Sequence, residues 1–76
     1  MAITASARKH GVVDDMVHAA CYAIAEVTQG DRVLLIGAGR DGRLLEVVVL
    51  DPDTEPVIIH AMALRPKCHT YLPKGR

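Results

Sequence analysis

The sequence predicts an α+β fold: two N-terminal helices packed on an antiparallel three- to four-stranded sheet, closed by a short C-terminal helix. Three observations carry this expectation. Apolar residues recur at spacings of three and four between Val13 and Val27. Two runs rich in Val, Leu and Ile flank the dipeptide Asp41-Gly42, and a third β-branched run, VIIHAM, follows a loop of prolines and acids. Helices first and a strand meander after them give two layers in a single domain over residues 1–76.

The first helix is expected over residues 2–10, an Ala-rich stretch with Arg8 and Lys9 near its end and Gly11 just beyond. Cations in a last turn and glycine after it suit a helix terminus. The second helix starts at Asp14 or Asp15, whose carboxylates can accept from the unpaired amides of a helix start. Val13, Val17, Ala20, Cys21, Ile24 and Val27 form its apolar stripe, and Asp14, His18, Tyr22 and Glu26 the opposite ridge. His18 reads as a solvated residue on that ridge. A short strand at 26–29 competes with the end of this helix.

The hairpin RVLLIGAGRDGRLLEVVVL is expected to turn on Asp41 and Gly42, pairing Arg40 with Arg43 and Gly37 with Glu46. One face then carries Leu34, Ile36, Ala38, Leu45, Val47 and Val49 and packs on the helices. The other carries Val33, Leu35, Gly37, Gly39, Leu44, Glu46, Val48 and Leu50 and asks for a cover of its own. DPDTEP is a loop, VIIHAM a third strand antiparallel to the second, and Pro66 suits the first turn of a short helix over 66–72. No repeats or linkers interrupt the chain.

Size and composition narrow the function. A chain of 76 residues buries only about 60–65% of its unfolded surface. Half of the residues are apolar, with no Phe or Trp, so the core is aliphatic. Nine basic residues balance nine acidic ones, which argues against a dedicated nucleic-acid binder but leaves room for a local basic patch. Cys21 and Cys68 are too few for a disulfide scaffold and fit reduced thiols. The first residues lack the apolar run of a signal peptide and nothing approaches membrane-spanning length, so the cytoplasm is the expected location.

No phosphate-cradling glycine loop with Lys-Ser/Thr, no GxSxG and no HExxH is present. GAGRDG has the glycine spacing of a dinucleotide motif, but a strand rather than a helix follows it, and the hairpin reading prevails. His60, Cys68 and His69 match no standard metal spacing, so no metal and no cofactor is expected. What remains is a set of titratable and cationic residues: Lys9, His10, Arg32, Arg40, Arg43, Glu46, His60, Arg65, Lys67, His69 and Tyr71. RNA cleavage by 2′-hydroxyl attack needs a base, a proton donor and cations around the phosphorane. Histidine and arginine supply these near neutral pH without metal. Each residue also has a plain structural reading: His60 hydrogen-bonded to a neighbour such as Glu46, Arg40 and Arg43 solvated at a hairpin tip, Tyr71 closing the core edge.

Three segments, RKHGV at 8–12, GRLLEVVV at 42–49 and VIIHAMALRPK with the following YL at 57–72, resemble the small BrnT-type toxins and their actinobacterial relatives. The resemblance spans about residues 8–72 and rests on order and spacing rather than on any one motif. It implies a RelE/ParE-like fold and the toxin half of a type II toxin–antitoxin system, an endoribonuclease that inhibits growth by arresting translation. It also implies a partner: a cognate antitoxin of the ribbon-helix-helix, DNA-binding kind. On this reading His60, Arg43 and Arg65 are the catalytic candidates, and Arg40, Lys67, Tyr71 and Lys9 the RNA-binding ones. The chain departs from the family where Met62 and Ala63 stand in place of arginines, and it lacks a strongly basic final helix. The alternative is a non-catalytic binding module of the same fold, acting through its complex with the antitoxin or as a homodimer.

Overall fold

In a computed structural model, which describes residues 2–9, 11 and 13–73, the chain forms an α+β fold on a five-stranded mixed sheet. The elements run β1 (Ala2–Ile3), α1 (Ala5–Arg8), α2 (Val13–Cys21), β2 (Ala25–Gln29), β3 (Arg32–Ala38), β4 (Leu44–Leu50), β5 (Val57–Ala63) and a 3-10 helix (Pro66–Tyr71). Their order across the sheet is β1-β5-β4-β3-β2. The strand count exceeds the expected three to four, and the sheet is not purely antiparallel. Ala2 and Ile3 lie parallel to Val57 and Ile58, held by the Ala2 amide on the Pro56 carbonyl at 3.3 Å and the Thr4 amide on the Ile58 carbonyl at 3.0 Å. The first residues are therefore strand, and the first helix begins only at Ala5, where Thr4 Oγ1 accepts from the Ala7 amide at 3.3 Å. The expected end of that helix at His10, the Val12 position and the last three residues lie outside the described residues.

The second helix is shorter than its apolar spacing suggests, ending at Cys21 rather than near Val27. Beyond it the Ile24 amide donates to the Ile36 carbonyl at 2.7 Å, and Ala25–Gln29 pair with β3. Ile24, Val27 and Thr28 are β-branched, and pairing with a waiting strand edge outweighs two more helical turns. The short strand expected at 26–29 is thus present. The buried stripe of α2 is also rotated from expectation: Met16 and Ala19 are buried, whereas Val13 and Cys21 are exposed.

The β3–β4 hairpin turns on three residues, Arg40, Asp41 and Gly42, not on two. The Gly39 amide donates to the Arg43 carbonyl at 2.9 Å and the Gly42 amide to the Gly39 carbonyl at 3.0 Å, with Gly42 at φ +86°. A turn followed by a left-handed glycine is the usual three-residue solution. Gly42→Ala is expected to cost about 1 kcal/mol, because a Cβ disfavours that conformation; a melting temperature equal to or above wild type would contradict it. The extra loop residue moves the register by one, so Gly37 pairs with Leu45 and Ile36 with Glu46. Val33, Leu35 and Gly37 of β3 therefore join Leu45, Val47 and Val49 beneath the helices, in place of the expected Leu34, Ile36 and Ala38.

The expected third strand forms, antiparallel to β4, but it carries a bulge. His60 pairs with Val48 and Ile58 with Val49, leaving Ile59 without an opposite number. Such an extra residue re-aims the side chains beyond it. Ile58 stays in the helix-side core, while His60 turns to the other face, beside Glu46. That second face is covered by the chain's own Pro66–Tyr71 segment: the 3-10 helix expected from Pro66 buries Cys68, and Ile36 is fully enclosed.

Candidate functional site

An acid in the middle of the run LLEVVVL must either face solvent or find partners, since an unpaired buried carboxylate is far too costly. Glu46 is 1% exposed and finds several. Its Oε1 accepts from the Arg65 amide and from Arg65 Nε, each at 3.0 Å. Its Oε2 accepts from His60 Nε2 at 3.0 Å, Arg65 Nε at 3.0 Å and Arg65 Nη2 at 2.5 Å. Local sequence explains the Arg65 geometry. Pro66 bars its predecessor from helical backbone, and Arg65 is extended at φ −85°, ψ 150°, with its amide on the carboxylate.

Burial alone would raise the Glu46 pKa, but the Arg65 side-chain and backbone hydrogen bonds, with smaller help from His60 and Cys68, bring it down to about 2. The carboxylate is therefore ionised near neutrality and is purely an acceptor. His60 Nε2 must then carry the proton in that bond, which leaves Nδ1 as the acceptor of a neutral ring. Glu46 in turn raises the Arg65 pKa. Burial, followed by contact with Glu46, pushes the Cys68 thiol upward as well. His60 and Arg65 keep 33% and 39% of their side-chain surface, so the buried carboxylate holds two groups that solvent still reaches.

Two of the three catalytic candidates, His60 and Arg65, thus meet on one carboxylate. The His60–Glu46 hydrogen bond, the structural reading of that histidine, is present as well. Arg43 stands apart. Its side chain is 86% exposed at the hairpin tip, its Nε lies 3.7 Å from Asp41 Oδ2, and it borders an open cavity with Asp15, Met16, Leu45 and Ala61. The register places it with the helix-side residues, on the opposite face from His60. Arg40 is exposed, and its amide donates to Asp15 Oδ1 at 2.9 Å. Lys67 and Tyr71 lie exposed on the 3-10 helix, and Lys9 is exposed after α1. His18 is not simply solvated: its Nδ1 donates to the Ala38 carbonyl at 2.9 Å, and its ring lies 4.8 Å from that of Tyr22.

What residue-by-residue reading missed is the central place of Glu46, which gathers His60, Arg65 and Cys68. The available signal was a lone acid inside an otherwise apolar strand. Among the described residues no group of three His, Cys, Asp or Glu side chains is arranged to hold a metal, and Cys21 and Cys68 are free thiols. No described helix is long and apolar enough to cross a membrane. No family model, curated protein or solved structure matches the chain.

Proposed function

We propose that this protein is the RNA-cleaving toxin of a type II toxin–antitoxin pair, RelE/ParE-like in fold and acting in the cytoplasm. The observation that carries the reading is the cluster of His60 and Arg65 on the buried carboxylate of Glu46, a proton carrier and a phosphate-binding cation oriented together. The arrangement of the resembling segments supports it: Lys9 and Gly11 lie between two helices, Arg43 precedes the Leu44–Leu50 strand, and His60 sits in the strand that leads into Arg65.

In the proposed reaction His60 takes the proton of an RNA 2′-hydroxyl, whose oxygen attacks the adjacent phosphorus. Arg65 stabilises the charge that builds on the phosphoryl oxygens. The bond to the 5′ oxygen breaks, leaving a 2′,3′-cyclic phosphate, and water protonates the departing oxygen. The hydroxide so formed takes the proton back from His60. Lys67, Tyr71, Lys9 and Arg40 guide the RNA backbone, and Arg43, at the hairpin tip on the other sheet face, takes no part in the bond-breaking step. The partner is an antitoxin of the ribbon-helix-helix kind.

Induced expression, with growth and total RNA followed together, tests this. Wild type should arrest growth and degrade RNA, His60→Ala and Arg65→Ala should do neither, and co-expression of the neighbouring small gene should restore growth. Normal growth and intact RNA despite folded wild-type protein would refute it. That result would favour a second reading, a non-catalytic binding module. Its specific support is Tyr22 and Ile24, 69% and 53% exposed beside β2, whose outer edge is unpaired among the described residues.

A further inference from the structure

We infer that Glu46 is the positioning residue of this site: one carboxylate sets the tautomer of His60, so that Nδ1 is the working nitrogen, and fixes the Arg65 guanidinium beside it. The inference rests on the RNA-cleavage reading for its role in rate, but its geometry stands apart from that reading. A single oxygen, Glu46 Oε2, accepts from both His60 Nε2 and Arg65 Nη2, so the ring and the guanidinium each lie one hydrogen bond from the same atom. Arg65 spends Nε, Nη2 and its backbone amide on Glu46, and Nη1 takes no part.

Three separate features of the chain converge on this carboxylate. The bulge at Ile59 turns His60 onto the face of Glu46; regular pairing would have placed it with Ile58 among the helix-side residues. Pro66 holds Arg65 extended, so that its amide meets Oε1. Cys68, at 5% exposure, is buried against the same carboxylate. A carboxylate that served only to bury an ion pair with Arg65 would need neither the bulge nor the histidine.

In the reaction the 2′-hydroxyl proton goes to Nδ1. The resulting imidazolium keeps its Nε2–H on Glu46, which stays ionised throughout and exchanges no proton. A residue acting this way changes rate more than affinity. The tautomer it selects is also visible without any RNA.

Two measurements test this on the full chain. Long-range proton–nitrogen NMR correlations of the imidazole should show the neutral His60 ring of wild type as the Nε2–H tautomer, with that preference lost in Glu46→Gln. Cleavage of a quenched fluorescent single-stranded oligoribonucleotide should fall by about 10²-fold in kcat for Glu46→Gln, with KM within about threefold. Should Glu46→Gln not fold, Glu46→Asp, which keeps the charge but shortens the reach by one methylene, should lower kcat in the same direction. An Nδ1–H ring in wild type overturns the inference, as does a folded Glu46→Gln variant with wild-type kcat. If wild type cleaves no RNA, the toxin reading falls, and the tautomer in wild type and variant alone decides whether Glu46 sets the ring.

Discussion

Gly37→Ala is expected to destabilise the fold by about 3 kcal/mol, toward the upper end of what a single added methyl does in a packed interior. Gly37 lies in β3 beneath α2, where the helix backbone comes down onto the sheet. A Cβ there would sit 3.0 Å from the Ala19 carbonyl carbon and 3.1 Å from its Cα, with the carbonyl oxygen closer still. These are backbone atoms, so no rotamer change relieves the contact and α2 must lift from the sheet as a unit. The lift would loosen Met16 and Ala19 from Val33, Val47 and Val49, the centre of the core. For a domain of this size each kcal/mol moves Tm by about 4–8 °C, so the melting temperature should fall by more than about 10 °C. Urea denaturation should show a lower midpoint with an unchanged slope. A variant as stable as wild type would mean that α2 does not sit on Gly37.

That contact shows where the sequence was legible and where it was not. The turn region, the three principal strands and the Pro66 helix were readable because alternation, Asp41-Gly42 and proline are local signals. The register was not, because Asp41-Gly42 serves two loops. In a two-residue turn both would need positive φ, whereas in the observed loop only Gly42 does, and the Asp41 carboxylate accepts from the Arg43 amide at 3.0 Å. Nothing local separates these choices, yet the slip decides which β3 residues meet the helices. The end of α2 was obscured because Ile24 and Val27 fit a helical stripe and a strand equally well, and only the neighbouring β3 edge selects. At the site, the His60–Glu46 pair could be read as a structural alternative. The bulge at Ile59 that brings His60 onto the face of Glu46 could not, and neither could the arrival of Arg65 on the same carboxylate, since no residue type announces either. Charge and the resemblance of the GRLLEVVV segment group Arg43 with His60, and the register sends it to the other face.

The acid limb of stability is expected to carry the signature of Glu46. Its folded pKa of about 2 lies below the ordinary value of 4.5, so the ionised carboxylate favours the native state. The sign follows from proton uptake. Above about pH 4.5 Glu46 is ionised in both folded and unfolded chains and its contribution is complete. Between about 4.5 and 2 the unfolded chain binds the proton first, and the contribution is progressively lost. Breaking a buried ion pair by removing one partner typically costs about 3–5 kcal/mol. Glu46→Gln removes this linkage, so wild type should melt at least about 10 °C above the variant at pH 7, and the gap should close as pH approaches 2. Cys68 adds an opposite limb. Its raised thiol pKa favours the folded state below the ordinary thiol value of 9.0, and that advantage is lost as pH climbs through the folded value. The difference between wild type and Glu46→Gln should therefore be flat across neutral pH and vanish on the acid side. A gap that persisted unchanged down to pH 2 would mean that Glu46 stabilises the fold through shape rather than charge. The ionised acceptor that holds His60 and Arg65 together would then be lost with it.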